Sequence, residues 1–229
     1  AAALLLAAIG AAVMLRSGPE PAPPPQPIYI EAEKPEDSLV VENVITTWPR
    51  NIALERRALI QKYFQQLREM RGIKWGSIGA VLEALAKIQF DATLNPSDFR
   101  ALCNLTYHDA TGKTLGELDV VIWNVRENRA EVAYEAVVSD DLRHKAASSR
   151  NQVKRFQTAV KNHEVVKILY PHDETWTCEP AQFEQARVEI LGNQGAIAAG
   201  FDTEIDITRS EADFLQRKIL NWRKAREGL

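Results

Sequence analysis

The strongest constraint on the fold comes from two short apolar segments, each interrupted by a carboxylate. Residues 116–123 read GELDVVIW and residues 131–137 read EVAYEAV, and the turn-forming residues 126–128 lie between them. This pattern predicts an antiparallel β-hairpin that carries Asp119 and Glu135 inside buried strands. A buried carboxylate is costly unless it is paired or binds a metal ion. We therefore expect both side chains to share one cation, and their hard oxygen atoms favour Mg²⁺ or Mn²⁺.

The segments around this hairpin predict an α/β domain. Helical spacing of apolar residues alternates with short strand-like runs, and no internal repeat is evident. Ser210 and Asp213 resemble a capping box at the start of the last helix. The predicted helices cover residues 49–71, 75–89, 141–161, 181–186 and 210–226. The predicted strands cover residues 99–107, 118–123, 130–138 and 164–170, and two further short strands precede the last helix.

The beginning of the chain differs sharply in composition from the rest. Residues 1–15 have no polar side chain, and residues 17–27 include six prolines. We interpret residues 1–16 as an apolar, transmembrane helix and residues 17–47 as an extended Pro-rich linker, followed by a domain at 48–229. A signal-peptide core, or an apolar helix docked on a partner, are the alternatives for the first segment. The chain is thus expected to be membrane-anchored, with a soluble C-terminal domain.

The charge distribution points to a local rather than a global basic surface. The formal net charge is −3, so the whole chain does not have the charge of a typical nucleic-acid binder. The predicted helix at 141–161 nevertheless concentrates basic residues, which could neutralise phosphate groups. The members of this strip that we expect to bind nucleic acid are Arg143, Arg150, Lys154 and Arg155.

Other familiar site patterns are missing from the sequence. There is no HExxH zinc motif and no GxSxG nucleophile elbow. The TGKT sequence at 111–114 lies inside a predicted hairpin and lacks the upstream glycine of a phosphate-binding loop. Cys103 and Cys178 have no metal-ligand spacing, so we expect two buried thiols.

The hairpin and the helix before it resemble the PD-(D/E)XK nuclease superfamily. In that family a helix-borne glutamate precedes a hairpin that carries an aspartate and then an E-x-K tripeptide. Glu83 occupies the place of the first glutamate, and Asp119 and Glu135 occupy the places of the next two acids. The resemblance implies a restriction-endonuclease-like core, with a mixed sheet flanked by helices. It also implies metal-dependent hydrolysis of DNA, with Mg²⁺ or Mn²⁺ held by these three carboxylates.

The family's lysine is absent, because Val137 stands two residues after Glu135. Some members of the family are thought to supply this lysine from a neighbouring helix. Lys145, Ser149, Gln152 and Phe156 follow one another at steps of four, three and four residues, so they share one face of the predicted helix. Lys145 and Gln152 are therefore the candidates that could orient water or phosphate.

Three functions are compatible with these features. An apolar segment, a proline spacer and a nuclease-like domain resemble the layout of bacterial polymorphic toxins and secreted effectors, for which an immunity protein is the expected partner. The alternative is an inactive nuclease-like fold that serves as a membrane-anchored binding or scaffold subunit, which the missing lysine favours. The third is a nucleic-acid-binding module without hydrolysis.

Overall fold

The hairpin predicted from the two carboxylate-bearing segments lies at the centre of a seven-stranded mixed sheet. The computed structural model describes residues 45–170 and 177–227. The predicted apolar helix at 1–16, and all but the last residues of the predicted linker at 17–47, lie outside the described residues. No helix in the part of the chain that the structure describes is both long and apolar enough to cross a membrane.

Residues 45–170 and 177–227 form four α-helices and seven strands, as an α/β pattern predicts. The helices are α1 (Arg57–Glu69), α2 (Ile78–Thr93), α3 (Leu142–Lys161) and α4 (Arg209–Glu227). The strands are β1 (Phe99–His108), β2 (Thr114–Asn124), β3 (Arg129–Val137), β4 (Lys167–Leu169), β5 (Thr177–Cys178), β6 (Arg187–Gly192) and β7 (Thr203–Glu204). Three short 3₁₀ helices cover Leu54–Arg56, Pro180–Phe183 and Ile197–Ala199.

The order of strands across the sheet is β5-β4-β1-β2-β3-β6-β7. The first four pairings, from β5 to β3, are antiparallel, whereas β3 pairs with β6 and β6 with β7 in parallel. A parallel pairing requires a crossover. Helix α3 therefore belongs to the connection that carries the chain from β3 back to β6.

Helices cover both faces of the sheet and enclose separate apolar clusters. On one face, α1, α2 and α4 pack over Val120, Ile122 and Tyr134. On the other face, Phe156 of α3 packs among Val121 and Trp123. The two cysteines are free and buried, as predicted: Cys103 belongs to the first cluster and Cys178 to the second.

Several predicted helix boundaries are wrong. Helix α2 covers Ile78–Thr93 instead of residues 75–89, and the short helix predicted at 181–186 is a 3₁₀ helix at Pro180–Phe183. Trp48, Pro49 and the residues up to 53 are not helical, and a 3₁₀ turn precedes α1. At α4 the capping box is formed by Thr208 and Glu211, since the Glu211 amide donates to Thr208 Oγ1 at 3.2 Å and the Thr208 amide donates to Glu211 Oε2 at 2.8 Å. Arg56 then binds Glu211 through Nε at 2.8 Å, which favours this earlier start over Ser210.

Candidate functional site

The alternation of side chains breaks in β1 and β2 at the same place. Cys103 and Val120 pack on the α2 side of the sheet, whereas their neighbours two residues away, Leu105 and Leu118, pack on the α3 side. Cys103 pairs with Val120 and Leu105 with Leu118, so the break falls on the residues between them. One of these is Asn104, whose φ of 62° is left-handed. This conformation moves the side chains that follow it to the opposite face of the sheet from the one that regular alternation would give them. The other is Asp119, which is thus placed where the sheet changes its packing side.

The Asp119 carboxylate takes the place of a backbone acceptor between β2 and β3. The regular pairing of these strands reaches from Asn124 to Val120, opposite Tyr134. Beyond it, Asp119 Oδ2 accepts a hydrogen bond from the Ala136 amide at 2.7 Å. This is the one hydrogen bond that the side chain makes among the described residues. The bond fixes the carboxylate at the point where the pairing of β3 with β2 ends and β3 continues paired with β6 alone.

Four carboxylates converge around this point. Glu83 comes from α2, Glu117 and Asp119 from β2, and Glu135 from β3, and we call them the acidic cluster. Burial, and then the charges of Glu117 and Glu135, raise the pKa of Glu83 to about 7. Burial is also the largest cause for Asp119, whose pKa is raised well above its usual range, with Glu83 and Glu135 adding to it. The pKa of Glu135 is raised to about 7 by burial and by Glu117.

Three of the four carboxylates have no hydrogen-bond or ion-pair partner within the residues that the structure describes. The carboxylates of Glu83, Glu117 and Glu135 accept no hydrogen bond and form no ion pair there, although Lys74 is near enough to Glu83 to favour its ionised form. Like charges near one another are costly where burial also removes water, as it does at Glu83, Asp119 and Glu135 but not at the exposed Glu117, unless a cation or a proton neutralises them. The donor atoms therefore suit a hard divalent cation.

The side chains are not already arranged as a ligand set. In residues 45–170 and 177–227, no group of three or more His, Cys, Asp or Glu side chains has the geometry to hold a metal ion. Mutual repulsion of the acidic cluster gives a physical reason for this separation. Binding a cation would require the carboxylates to move towards one another.

A cavity of about 190 Å³ lies beside the acidic cluster on the α3 side of the sheet. Glu117 and Glu135 contribute to its wall, and α3 contributes Gln152 and Arg155. Tyr107 also lines it, and the pKa of Tyr107 is raised first by burial and then by Glu135, while Arg155 opposes the shift. The cavity thus brings carboxylates, an amide and a guanidinium to one small space.

Gly116 is needed for the shape of this cavity. A Cβ atom at position 116 would overlap the hydroxyl and the ring of Tyr107, which lies over the glycine. Because the Tyr107 ring is packed against its neighbours, it could not move aside without a loss of stability. The glycine of the GELD sequence therefore allows Tyr107 to line the cavity directly beside Glu117.

The structure brings together some of the residues predicted from the sequence and separates others. Glu83, Asp119 and Glu135 meet in the acidic cluster, and Gln152 lines the cavity with Glu135. Lys145 is exposed in the first turn of α3 and does not line the cavity. Its role as a substitute for the missing lysine stays a prediction.

The cations of α3 have different surroundings. Arg150 is held by Asp202, with nitrogen–oxygen distances of 3.1 and 3.2 Å, and by the Gly200 carbonyl at 2.6 Å. Arg155 faces the cavity, whereas Arg143 and Lys154 are simply exposed. A guanidinium engaged by a carboxylate has fewer donors to offer a phosphate. Arg150 is consequently a weaker candidate for nucleic-acid binding than its position in the sequence suggests.

Val137 stands where the resemblance to the PD-(D/E)XK superfamily would place a lysine, and its surroundings are apolar. Its side chain packs against the cluster that contains Leu142, Ile190 and Phe201, next to the start of α3. A lysine here would have to take its ammonium group out of that apolar contact. The nearby cations are instead Arg155 at the cavity and Lys74 near Glu83.

Two members of the site were missed from the sequence. Glu117 precedes Asp119 by two residues in one strand, a spacing that usually returns side chains to the same side, so a signal for it was present. Lys74 lies in the connection between α1 and α2 and had no sequence signal. Only the packing of that connection against the start of α2 brings it near Glu83.

Comparisons with known proteins give no family assignment. Neither protein-family models, nor curated proteins, nor solved structures match this chain. A function for this chain therefore has to be inferred from the geometry of its described residues.

Proposed function

We propose that this chain is a divalent-metal-dependent nuclease that hydrolyses DNA phosphodiester bonds on a restriction-endonuclease-like core. One observation carries the proposal: Glu83, Asp119 and Glu135 are largely buried and act on one another electrostatically, together with the exposed Glu117. Of these four carboxylates, only Asp119 has a hydrogen bond among the described residues. The order of these groups along the chain also supports it. Glu83 precedes the hairpin on a helix, and the hairpin then supplies Asp119 and Glu135.

Each residue has a distinct role in this proposal. Asp119 and Glu135 ligate Mg²⁺ or Mn²⁺, and Glu83 assists directly or through a water molecule. Such an ion polarises a phosphoryl oxygen and lowers the pKa of bound water. The Gln152 amide can both donate and accept at the cavity wall, which suits it to orient water or a phosphate oxygen.

Arg155 is the better candidate for the positive charge that Val137 cannot supply. It shares the cavity with Glu135, whereas Lys145 lies outside that cavity. A guanidinium can stabilise charge that develops on a phosphate, but it stays protonated and cannot act as a base. Water activation is therefore left to the carboxylates and their metal ion.

The packing of Val137 favours a second function. If no cation substitutes for the missing lysine, the same fold would serve as a catalytically inactive binding or scaffold subunit. That alternative predicts that no divalent metal ion supports hydrolysis of DNA. It also predicts that replacing Asp119 leaves partner binding unchanged. The toxin, immunity-protein and membrane predictions remain predictions, because they depend on partners or on residues 1–44.

Incubation of the purified chain with supercoiled plasmid DNA tests the proposal. We expect nicked or linear product with Mg²⁺ or Mn²⁺ and none with a chelator, since the acidic cluster repels phosphate until a cation neutralises it. Agarose gel electrophoresis measures the product, and structured RNA serves as a parallel substrate. Intact plasmid with every divalent metal, from a chain whose circular dichroism shows it folded, would move the conclusion to the inactive subunit.

A further inference from the structure

Arginine side chains cover two tryptophans where the ends of α1 and α4 meet. The guanidinium carbons of Arg68 and Arg226 lie 4.8 and 5.3 Å from the Trp222 ring centroid. Arg223 lies 5.3 Å from the ring centroid of Trp75. These distances are within the range of cation–π attraction. The aromatic rings thus hold several guanidinium groups on one part of the surface.

The sequence at this place has a net positive charge. Segments 68–76 and 221–227 contain six cations and two acids, Glu69 and Glu227. Arg68 approaches Glu69 only to 4.0 Å, and its buried Nε has no hydrogen-bond acceptor in the described part of the chain. Arg226 is exposed and forms no ion pair with any described residue. Of the two arginines on this indole, Arg68 has a side chain that is only 15% exposed and lies near Glu69. The exposed Arg226 is the one that favours an anionic ligand.

The connection between α1 and α2 links this surface to Glu83 of the acidic cluster. Arg223 Nη2 donates to the Met70 carbonyl at 2.8 Å, and Gln216 Nε2 donates to the Trp75 carbonyl at 3.0 Å, so α4 holds the connection between α1 and α2 in place. The same connection carries Lys74, whose charge acts on Glu83. We call Arg68, Lys74, Arg223 and Arg226 the α4 basic strip.

We propose that the α4 basic strip binds the phosphate backbone of the nucleic acid and leads it to the acidic cluster. The inference rests on the proposed function for its ligand. A polyanion with regularly repeated charges fits a strip of separate cations better than a single small anion does. Positive charge beside the carboxylates also offsets their repulsion of phosphate. Trp75 and Trp222 are almost fully buried, so they hold the arginines and do not stack on bases.

The test is a charge reversal at the two exposed members of the strip. Lys74→Glu/Arg226→Glu is made in an Asp119→Asn background, so that binding of a fluorescent DNA duplex is measured by anisotropy without cleavage. We expect affinity to fall about tenfold or more at 0.1 M salt, and the slope of log K against log salt to decrease by about two, since each lost phosphate contact contributes roughly 0.9. Arg217→Glu is the matched control. Arg217 precedes Arg226 by nine residues, which places it on the opposite side of α4 at 100° per residue.

The outcomes separate this inference from the proposed function. Unchanged affinity and salt slope in the double variant overturn the inference, even if the wild-type chain cleaves DNA. Weaker binding in the double variant but not in Arg217→Glu supports it, even if the wild-type chain proves inactive. The inference is also overturned if the double variant no longer binds phosphatidylserine vesicles but binds DNA as the wild type does. The strip would then recognise a lipid surface.

Discussion

Replacement of Asp119 by asparagine is expected to lower the rate of metal-dependent DNA cleavage by about 100-fold or more, because metal-ion catalysis contributes several kcal/mol to the barrier. Asparagine keeps an oxygen that can accept the Ala136 amide hydrogen, which Asp119 Oδ2 accepts at 2.7 Å. It removes the charge at the centre of the acidic cluster. The fold should therefore persist while the cation is lost. Initial rates of plasmid nicking measure the effect.

Glu131→Gln is the matched control for that experiment. Glu131 also belongs to β3, but it accepts from Asn124 at 2.9 Å and pairs with Arg129, away from the acidic cluster. We expect this variant to cleave at close to the wild-type rate. Equal losses in both variants, or an Asp119→Asn chain as active as the wild type, would contradict the role assigned to Asp119.

Replacement of Glu83 by glutamine is expected to stabilise the metal-free chain at pH 8. Since the pKa of Glu83 is raised from 4.5 to about 7 on folding, the folded state holds this proton more tightly than the unfolded state does. The contribution of Glu83 to the free energy of unfolding is therefore present at pH 4.5 and below. This contribution is lost as the pH rises to about 7. The gain for the variant at pH 8 is on the order of 1–3 kcal/mol. Near pH 4.5 the two chains should have similar stability.

Thermal unfolding followed by circular dichroism at pH 5 and pH 8 measures this difference. At pH 8 the gain corresponds to a rise in Tm of several degrees, at about 2–4 °C per kcal/mol for a domain of this size. The exposed Glu184 has no ion pair with a described residue, so Glu184→Gln should shift Tm equally at both pH values. A Glu83→Gln chain that is less stable than the wild type at pH 8 would indicate a structural carboxylate. A stabilised variant identifies a charge that is retained for function at the expense of stability.

The sequence predicted most of the elements and three members of the site, for identifiable reasons. Alternating apolar residues define β2 and β3, and carboxylates inside such strands stand out because burial makes them costly. Glu83, and the position of the next helix beside the site, were instead implied by the resemblance to the PD-(D/E)XK superfamily. Helical spacing placed Gln152 and Lys145 on one face of that helix, and only Gln152 lines the cavity.

Features that depend on long-range packing were not predictable in this way. The bond between Arg150 and Asp202 joins residues 52 positions apart, and Lys74 approaches Glu83 only through the packing of a connection. The choice of Thr208 over Ser210 as a helix cap depends on the distant Arg56, which binds Glu211. In each case several local patterns were compatible with the sequence, and tertiary contacts selected one of them.

Titration of Mn²⁺ into the metal-free chain at pH 8, with the free ion followed by electron paramagnetic resonance, tests the central claim most directly. We expect at least one Mn²⁺ to bind per wild-type chain and per Glu131→Gln chain. Asp119→Asn should weaken that binding by about 10- to 100-fold, the loss typical when a metal site is disturbed. A folded wild-type chain that leaves the free Mn²⁺ signal unchanged, or an Asp119→Asn chain that binds as tightly, would contradict the acidic cluster as a metal site.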